Sequence, residues 1–278
     1  TGGPVENAPC HEGMHEALEI SDRVLVLAHI ESGKTTSITV GRTLFELTQD
    51  PNLRGAIVSA KEELAAKPVR QMKSLIEHGP ECAMCAPHSK RGPIWQENKF
   101  VIERPNKAIR DPSVIALGMN SKFLGARYDW VVVDDLLNER NTRTAFQRNE
   151  VYDWFLATVM GRLTRKARLI IVNTAWHEQD LIHRLARRKI WYLRKFPVCT
   201  FDADGEIVST WPDRWPKQRI KDKFEELGGP RAKETRKQLL VEAVTEDDVT
   251  FDESSIERCL RRGVDAPANC GSLDDVRI

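Results

Sequence analysis

Arg23-Val-Leu-Val-Leu-Ala28-His-Ile-Glu-Ser-Gly33-Lys34-Thr35-Thr36 is the stretch on which the fold class turns. Arg23 to Ala28 is a β-branched and aliphatic run, and from Thr35 the apolar spacing becomes helical through Ile38, Leu44 and Leu47. Between strand and helix, Ala28 to Thr35 fits the phosphate-loop (Walker A) spacing, with Ala28 in place of the first glycine. Such a loop needs backbone N–H groups that wrap phosphate oxygens, a helix N-terminus that favours anions, and one ammonium. Gly33 permits the close approach, Lys34 is expected to bridge the β and γ phosphates of ATP, and the Thr35 hydroxyl to hold Mg2+. His29, Ile30, Glu31, Ser32 and Thr36 complete the expected cradle. The bland alternative is a glycine turn that starts a helix.

Outward from this loop, strands and helices alternate. Asp50-Pro51-Asn52 stops the first helix, Gly55 to Ser59 reads as a second strand, and Lys61 to His78 as a second helix. Phe100 to Ile102 and Val114 to Leu117 look like a hairpin. Trp130 to Val133 is a further apolar run, followed by helical spacing from Thr144 to Met160 through Phe146, Val151, Trp154 and Phe155. Arg168 to Val172 is another strand, preceding a helix from about Glu178 to Arg188. Continuous apolar strands alternating with helices predict an α/β domain with a mainly parallel central sheet flanked by helices. From about residue 197 the character changes: Pro197, Pro212, Pro216 and Pro230 punctuate the chain, and Lys217 to Leu227 predicts a helix ended by Gly228-Gly229-Pro230.

A nucleotide-hydrolysing site also needs an acidic strand end. Trp130-Val-Val-Val-Asp134-Asp135 supplies one about 100 residues after the loop, with Asp134 assigned to Mg2+ and Asp135 to the attacking water. Glu139 competes for the second role, because an Asp side chain is one methylene shorter than Glu.

With these residues the chain resembles the ATPase part of the large terminase subunit of tailed bacteriophages. Gly125-Ala-Arg127-Tyr-Asp129 leads into the acidic strand, Trp154 and Arg162-Leu163 follow it, and Val172-Asn-Thr-Ala-Trp-His-Glu-Gln-Asp-Leu181 is similar to the Thr-x-Trp-His-x-x-Asp-Leu segment of one terminase group. Trp211-Pro-Asp-Arg-Trp215, a helix and Leu227-Gly228 resemble that group's distal subdomain, and the likeness runs over about residues 15 to 260. The resemblance implies a P-loop NTPase of the ASCE/RecA-like type. Residues 1–196 would form the ATPase core, 197–262 a small helical or irregular lid or linker subdomain, and 263–278 the start of a linker to a nuclease domain for which this sequence has no strands. It further implies ATP and Mg2+ as ligands, double-stranded DNA as substrate, a homo-oligomeric ring of five subunits on the portal, and the portal protein and small terminase subunit as partners. The location it implies is the host cytoplasm, docked transiently on the procapsid.

By the same resemblance Asn173 and Thr174 stand at the motif that couples hydrolysis to DNA movement; their alternative is to cap the following helix. Trp176 and His177 read as packing and local hydrogen bonding. Ile30 and Glu31 occupy the part of the loop where some relatives carry an arginine, so the transition-state cation is expected from a neighbouring subunit, with Arg127 the candidate. Leu124 stands where a family arginine precedes Gly125. The competing reading of Arg127 is a salt bridge with Asp129 or another acid.

The chain has 278 residues, and 42 Lys and Arg against 41 Asp and Glu give a net charge of +1, which argues against a tail-type nucleic-acid binder. The sum conceals a polarity. Residues 161–196 carry ten basic residues against Glu178 and Asp180, a local +8, whereas 242–257 carry seven acids and no Lys or Arg. The basic stretch suits sequence-independent contact with phosphates, or else pairs with the acidic one. No apolar run approaches a membrane span and Thr1-Gly2-Gly3-Pro4 is no secretory leader, so no membrane role is expected. Six cysteines are too few for a disulfide framework, and Cys82, Cys85 and His88 have metal-ligand spacing without a partner pair. A helicase-like or other nucleic-acid-stimulated ATPase, and a nucleotide-binding scaffold without turnover, remain the alternative functions.

Overall fold

A computed structural model describes residues 8–78, 91–119, 121 and 125–245. Cys82, Cys85, His88, Leu124, most of the acidic stretch and the 263–278 segment lie outside the described residues. In chain order the elements are α1 (Pro9–Ile20), β1 (Arg23–Ala28), a π-wound stretch Thr35–Arg42 running into α2 (Thr43–Gln49), β2 (Gly55–Ser59), α3 (Glu62–His78), β3 (Arg91–Trp95), β4 (Lys99–Ile102) and β5 (Val114–Gly118). They continue with β6 (Tyr128–Asp134), α4 (Glu139–Thr142), α5 (Ala145–Trp154), β7 (Leu163–Asn173), α6 (Leu181–Ala186), β8 (Tyr192–Phe196), β9 (Cys199–Phe201), β10 (Ile207–Ser209), α7 (Lys217–Glu226) and α8 (Lys233–Gln238).

Eight strands form one sheet in the order β3-β4-β5-β2-β6-β7-β1-β8, and β9 and β10 form a separate hairpin. Six of the eight, from β5 to β8, run parallel, and β3 and β4 add an antiparallel edge. Burial on both faces explains the unbroken apolar runs. In β1, Val24, Val26 and Ala28 enter one core with α1 and α3, while Leu25 and Leu27 enter the other with α5 and α6. The expected hairpin pairs as read, with Phe100 opposite Val114.

The departures have local causes. The helix expected from Glu178 is shortened because Asp180, fully buried, is its N-cap and accepts from the His183 amide at 3.0 Å. Phe146, counted on the apolar side of its helix, faces solvent at 71% exposure, and Val151, Tyr152 and Phe155 carry the burial instead. Residues 197–245 send Trp211, Trp215, Ile220 and Phe224 into the same core as Val24 and Val26. Gly228 (φ +93°) and Gly229 (φ +104°) turn the chain out of α7 as expected.

Candidate functional site

Three strand ends converge at the C-terminal edge of the sheet, where ligands of open α/β sheets bind. β7 lies between β1 and β6, and its register sets Asn173 beside Leu27 and Val172 beside Asp134. The Ala28–Thr35 loop, Asn173 and the acid pair are therefore neighbours in space although they are remote in sequence.

The loop is built as its sequence requires. Gly33 has φ +78°, and a Cβ there would lie 2.8 Å from His11 Nε2, so close helix packing as well as conformation demands glycine. Ser32 N–H donates to the His29 carbonyl at 3.3 Å, and the Ile30 amide to the Gln238 carbonyl at 2.9 Å. Ser32 is fully buried with an unpartnered hydroxyl. Thr36 is exposed at the helix start, and Lys34 is buried with its Nζ 3.5 Å from Asp135 Oδ1.

Asp134 is buried, and its Oδ2 accepts from Thr39 Oγ1 at 2.8 Å. Burial, and after it the Asp135 charge, pushes its carboxyl up to about 6, against the opposing pull of Thr39, Lys34 and Thr35. Its other oxygen, Oδ1, is buried without a partner. An orphaned carboxylate oxygen beside the Thr35 hydroxyl is the all-oxygen donor set that a hard divalent cation takes, so the residues present fit Mg2+. Asp135 turns outward on a left-handed φ of +47°, which places the shorter acid against Lys34; Glu139 lies exposed in the first turn of α4.

Asn173 does not cap the next helix; Asp180 does. Its amide instead clasps Leu137, accepting from the Leu137 amide at 3.0 Å and donating to the Leu137 carbonyl at 3.2 Å. This ties the end of β7 to the loop that follows the acid pair. Thr174 is buried beside it. His177 makes local bonds, its Nδ1 accepting from the Gln179 amide at 3.0 Å.

Arg127 is exposed and donates to the Gly161 carbonyl at 3.3 Å. The alternative of a salt bridge to Asp129 is corrected, because Arg54 takes that carboxylate at 2.8 and 3.0 Å and Thr164 donates to it at 2.9 Å. Arg127 stands before the first residue of β6, about 20 Å from Asp134 at ~3.3 Å per strand residue, and does not reach this chain's own site.

A cavity of about 660 Å3 opens over the loop, lined by Gly33, Lys34 and Thr35 and also by His11, His15, Trp211 and Arg214. These last four were missed as site residues. His11 and His15 sit one turn apart on α1, where His11 Nε2 meets the Ser32 carbonyl at 2.7 Å and His15 Nε2 meets Ser37 Oγ at 3.0 Å. The i, i+4 pair of histidines after Pro9 was the available signal. Thr39 was legible too, one helical turn beyond Thr35 on the same face. Among the described residues no group of three or more His, Cys, Asp or Glu side chains forms a metal cluster, and no helix is long and apolar enough to cross a membrane.

His29 gives the loop a pH dependence. It is fully buried, its Nδ1 lies 2.6 Å from the Ile30 carbonyl, its Nε2 is unpartnered, and Trp215 packs edge-on at 5.7 Å. Burial lowers its pKa from 6.5 to about 4. Above 6.5 both folded and unfolded chains hold it neutral. Between 6.5 and 4 the unfolded chain binds the proton that the folded chain refuses, so stability falls as pH falls through that window. The expected loss between pH 7 and pH 5 is about 2 kcal/mol. Asp134, pushed up to about 6, takes up a proton in the folded chain over the same window and offsets part of this loss. Urea unfolding should therefore show His29→Asn gaining about 2 kcal/mol on the wild type between pH 7 and pH 5; equal changes in both would contradict it.

No family model matches the sequence, and no curated protein matches it. Among solved structures the chain is similar to the Thermus phage P74-26 large terminase ATPase domain, with a TM-score of 0.58 and 15% identity over 86% of this chain and 94% of that one. An arginine-to-alanine variant of the same domain gives a TM-score of 0.55 and 16% identity over 86% and 95%. At such identity the likeness is one of fold, a P-loop ATPase sheet flanked by helices.

Proposed function

We propose that this chain is the ATP-hydrolysing motor domain of a phage large terminase, which moves double-stranded DNA into a procapsid. The observation that carries this reading is the meeting of Lys34, Thr35, Thr39, Asp134 and Asp135 at one sheet edge, with one buried carboxylate oxygen left for a cation. The shared fold supports it.

In this reading the amides of residues 33–35 and the Lys34 ammonium hold the phosphates, while Trp211 and the α1 histidines wall the cavity. Thr35 and Asp134 hold Mg2+, which supplies charge neutralisation at the phosphates when bound. Asp135 accepts a proton from the attacking water, with the Lys34 ammonium 3.5 Å from its carboxylate. Asn173 and Thr174 sense the change at the phosphates, and the Asn173–Leu137 clasp carries it to the loop after the acids. Arg127 serves a neighbouring subunit's site in a ring of five on the portal, with the portal protein and the small terminase subunit as partners. Residues 197–262 act as the lid.

The basic stretch divides in a way that supports a DNA contact. Arg168 is used internally, 3.2 Å from Glu46 and stacked over Trp130. Arg165 and Lys166 in the register-shifted start of β7, and Arg187, Arg188 and Lys189 between α6 and β8, are exposed. Both groups lie toward the edge where the strands begin, since Tyr128 pairs with Leu163 and Val24 with Tyr192. Nucleotide and duplex would thus occupy opposite edges of one sheet. Reversing Arg187 and Lys189 together to Glu should weaken binding of a nonspecific duplex about tenfold near physiological salt and flatten its salt dependence. Fluorescence anisotropy measures both, and unchanged affinity would move the DNA contact elsewhere.

A further inference from the structure

Glu31 is out of place in a loop that receives a polyanion. It carries a negative charge at the mouth of the phosphate site and holds a left-handed φ of +56° that side-chain-bearing residues disfavour. What occupies it lies far along the chain. Its carboxylate pairs with Arg219 at 2.8 Å and with Arg214 at 3.8 Å. Each arginine is seated on a tryptophan, Arg219 over Trp215 at 4.1 Å and Arg214 over Trp211 at 5.3 Å. Each tryptophan in turn packs edge-on against a histidine at the loop, Trp215 on His29 and Trp211 on His11 at 4.7 Å. Arg219 also donates to the Arg214 carbonyl at 2.6 Å.

The two arginines are not equivalent. Arg214 lines the cavity together with Lys34 and Thr35, and Arg219 is not among the lining residues. Arg214 is also the one at the outer limit of an ion pair, 3.8 Å from the Glu31 carboxylate against 2.8 Å for Arg219, and it sits less closely on its tryptophan, although both side chains are 44% exposed. A phosphate offers a guanidinium two acceptor oxygens in the matched planar geometry and more charge than one carboxylate.

We propose that Arg214 is a phosphate-binding residue of the nucleotide site, and that Glu31 holds its place in the nucleotide-free chain. On binding, the phosphates take Arg214 while Glu31 stays with Arg219. The phosphate loop and the Trp211–Glu226 segment are thereby clasped twice, once by Glu31–Arg219 and once through the nucleotide. This inference rests on the reading of residues 28–36 as a nucleotide site.

The test is a double-mutant cycle on equilibrium binding of a fluorescent ATP analogue with Mg2+, with thermal unfolding confirming that each variant folds. Arg214→Ala should weaken binding about tenfold, the loss of one charge-assisted phosphate contact. Arg214→Lys, a smaller perturbation to folding, should lose part of that. Glu31→Gln should tighten binding about fivefold by releasing Arg214. In the Arg214→Ala background that gain should shrink below twofold. An equal gain in both backgrounds would mean that Glu31 acts by simple repulsion, and unchanged affinity in both Arg214 variants would remove Arg214 from the site; either overturns the handover. Failure of the underlying reading is distinct: the wild type would then bind no analogue, or Lys34→Ala would bind it equally well.

Discussion

Lys34→Ala is expected to cut ATP turnover about a thousandfold and to leave the fold in place. The first half of this expectation follows from position. Lys34 is the cation of the loop, lining the cavity over residues 33–36 and set 3.5 Å from Asp135, so in the proposed site the phosphates and Asp135 would lose their partner at once. The second half follows from energetics. Lys34 pairs with an acid whose side chain is 53% exposed, and such a pair contributes no more than about 1 kcal/mol to folding. Steady-state hydrolysis together with thermal unfolding checks both halves. Turnover at the wild-type rate in a folded Lys34→Ala protein would remove the site from this loop.

Trp130→Ala has the opposite signature: it strikes stability first. Trp130 is fully buried at the centre of β6, flanked by Gly55 of β2 and Arg168 of β7. Its Nε1 donates to Thr43 Oγ1 at 2.9 Å, and the Arg168 guanidinium covers its ring at 5.6 Å. Truncation empties a site between the sheet and the helix that follows the phosphate loop. The cost is about 4 kcal/mol, lowering the melting temperature by roughly 10 °C. Trp130→Phe should cost only about 1 to 2 kcal/mol, chiefly the unpartnered Thr43 hydroxyl. Calorimetry on the two variants decides; a loss under 1 kcal/mol for Trp130→Ala would contradict the packing.

Much of the sheet could be read because β1, β2 and β6 are buried on both faces and so are unbroken apolar runs. β3 and β8 escaped because they are edge strands: Arg91-Gly-Pro-Ile-Trp95 and Tyr192-Leu-Arg-Lys-Phe196 expose much of their length, and their composition is that of a surface. The first part of β7, Leu163 to Lys166, lies in a register shift against β6 that exposes Arg165 and Lys166, and is polar for that reason. The helix α1 hides behind Pro9 and Gly13, although Met14, Ala17 and Leu18 mark its buried side. At the site, local signals gave Lys34, Thr35 and Asp134, because strand, loop and helix are contiguous there. Beyond the His11–His15 spacing, the walls of the cavity left no local signal, since His11 and Trp211 meet across 200 residues of chain. The Arg54–Asp129 pair shows the same limit: nothing near Asp129 in sequence announces that its carboxylate is already taken.

In the proposed function the Ala28–Thr36 loop and the β6 acids form one Mg·ATP site. A crystal structure of the chain with Mg2+ and a non-hydrolysable ATP analogue tests it most directly. The phosphates should lie against the amides of residues 33–35 and the Lys34 ammonium, the metal on Thr35 and Asp134, and Asp135 should face the γ-phosphate. An analogue bound elsewhere with this loop empty, or phosphates in the loop with the metal away from Asp134, would contradict it.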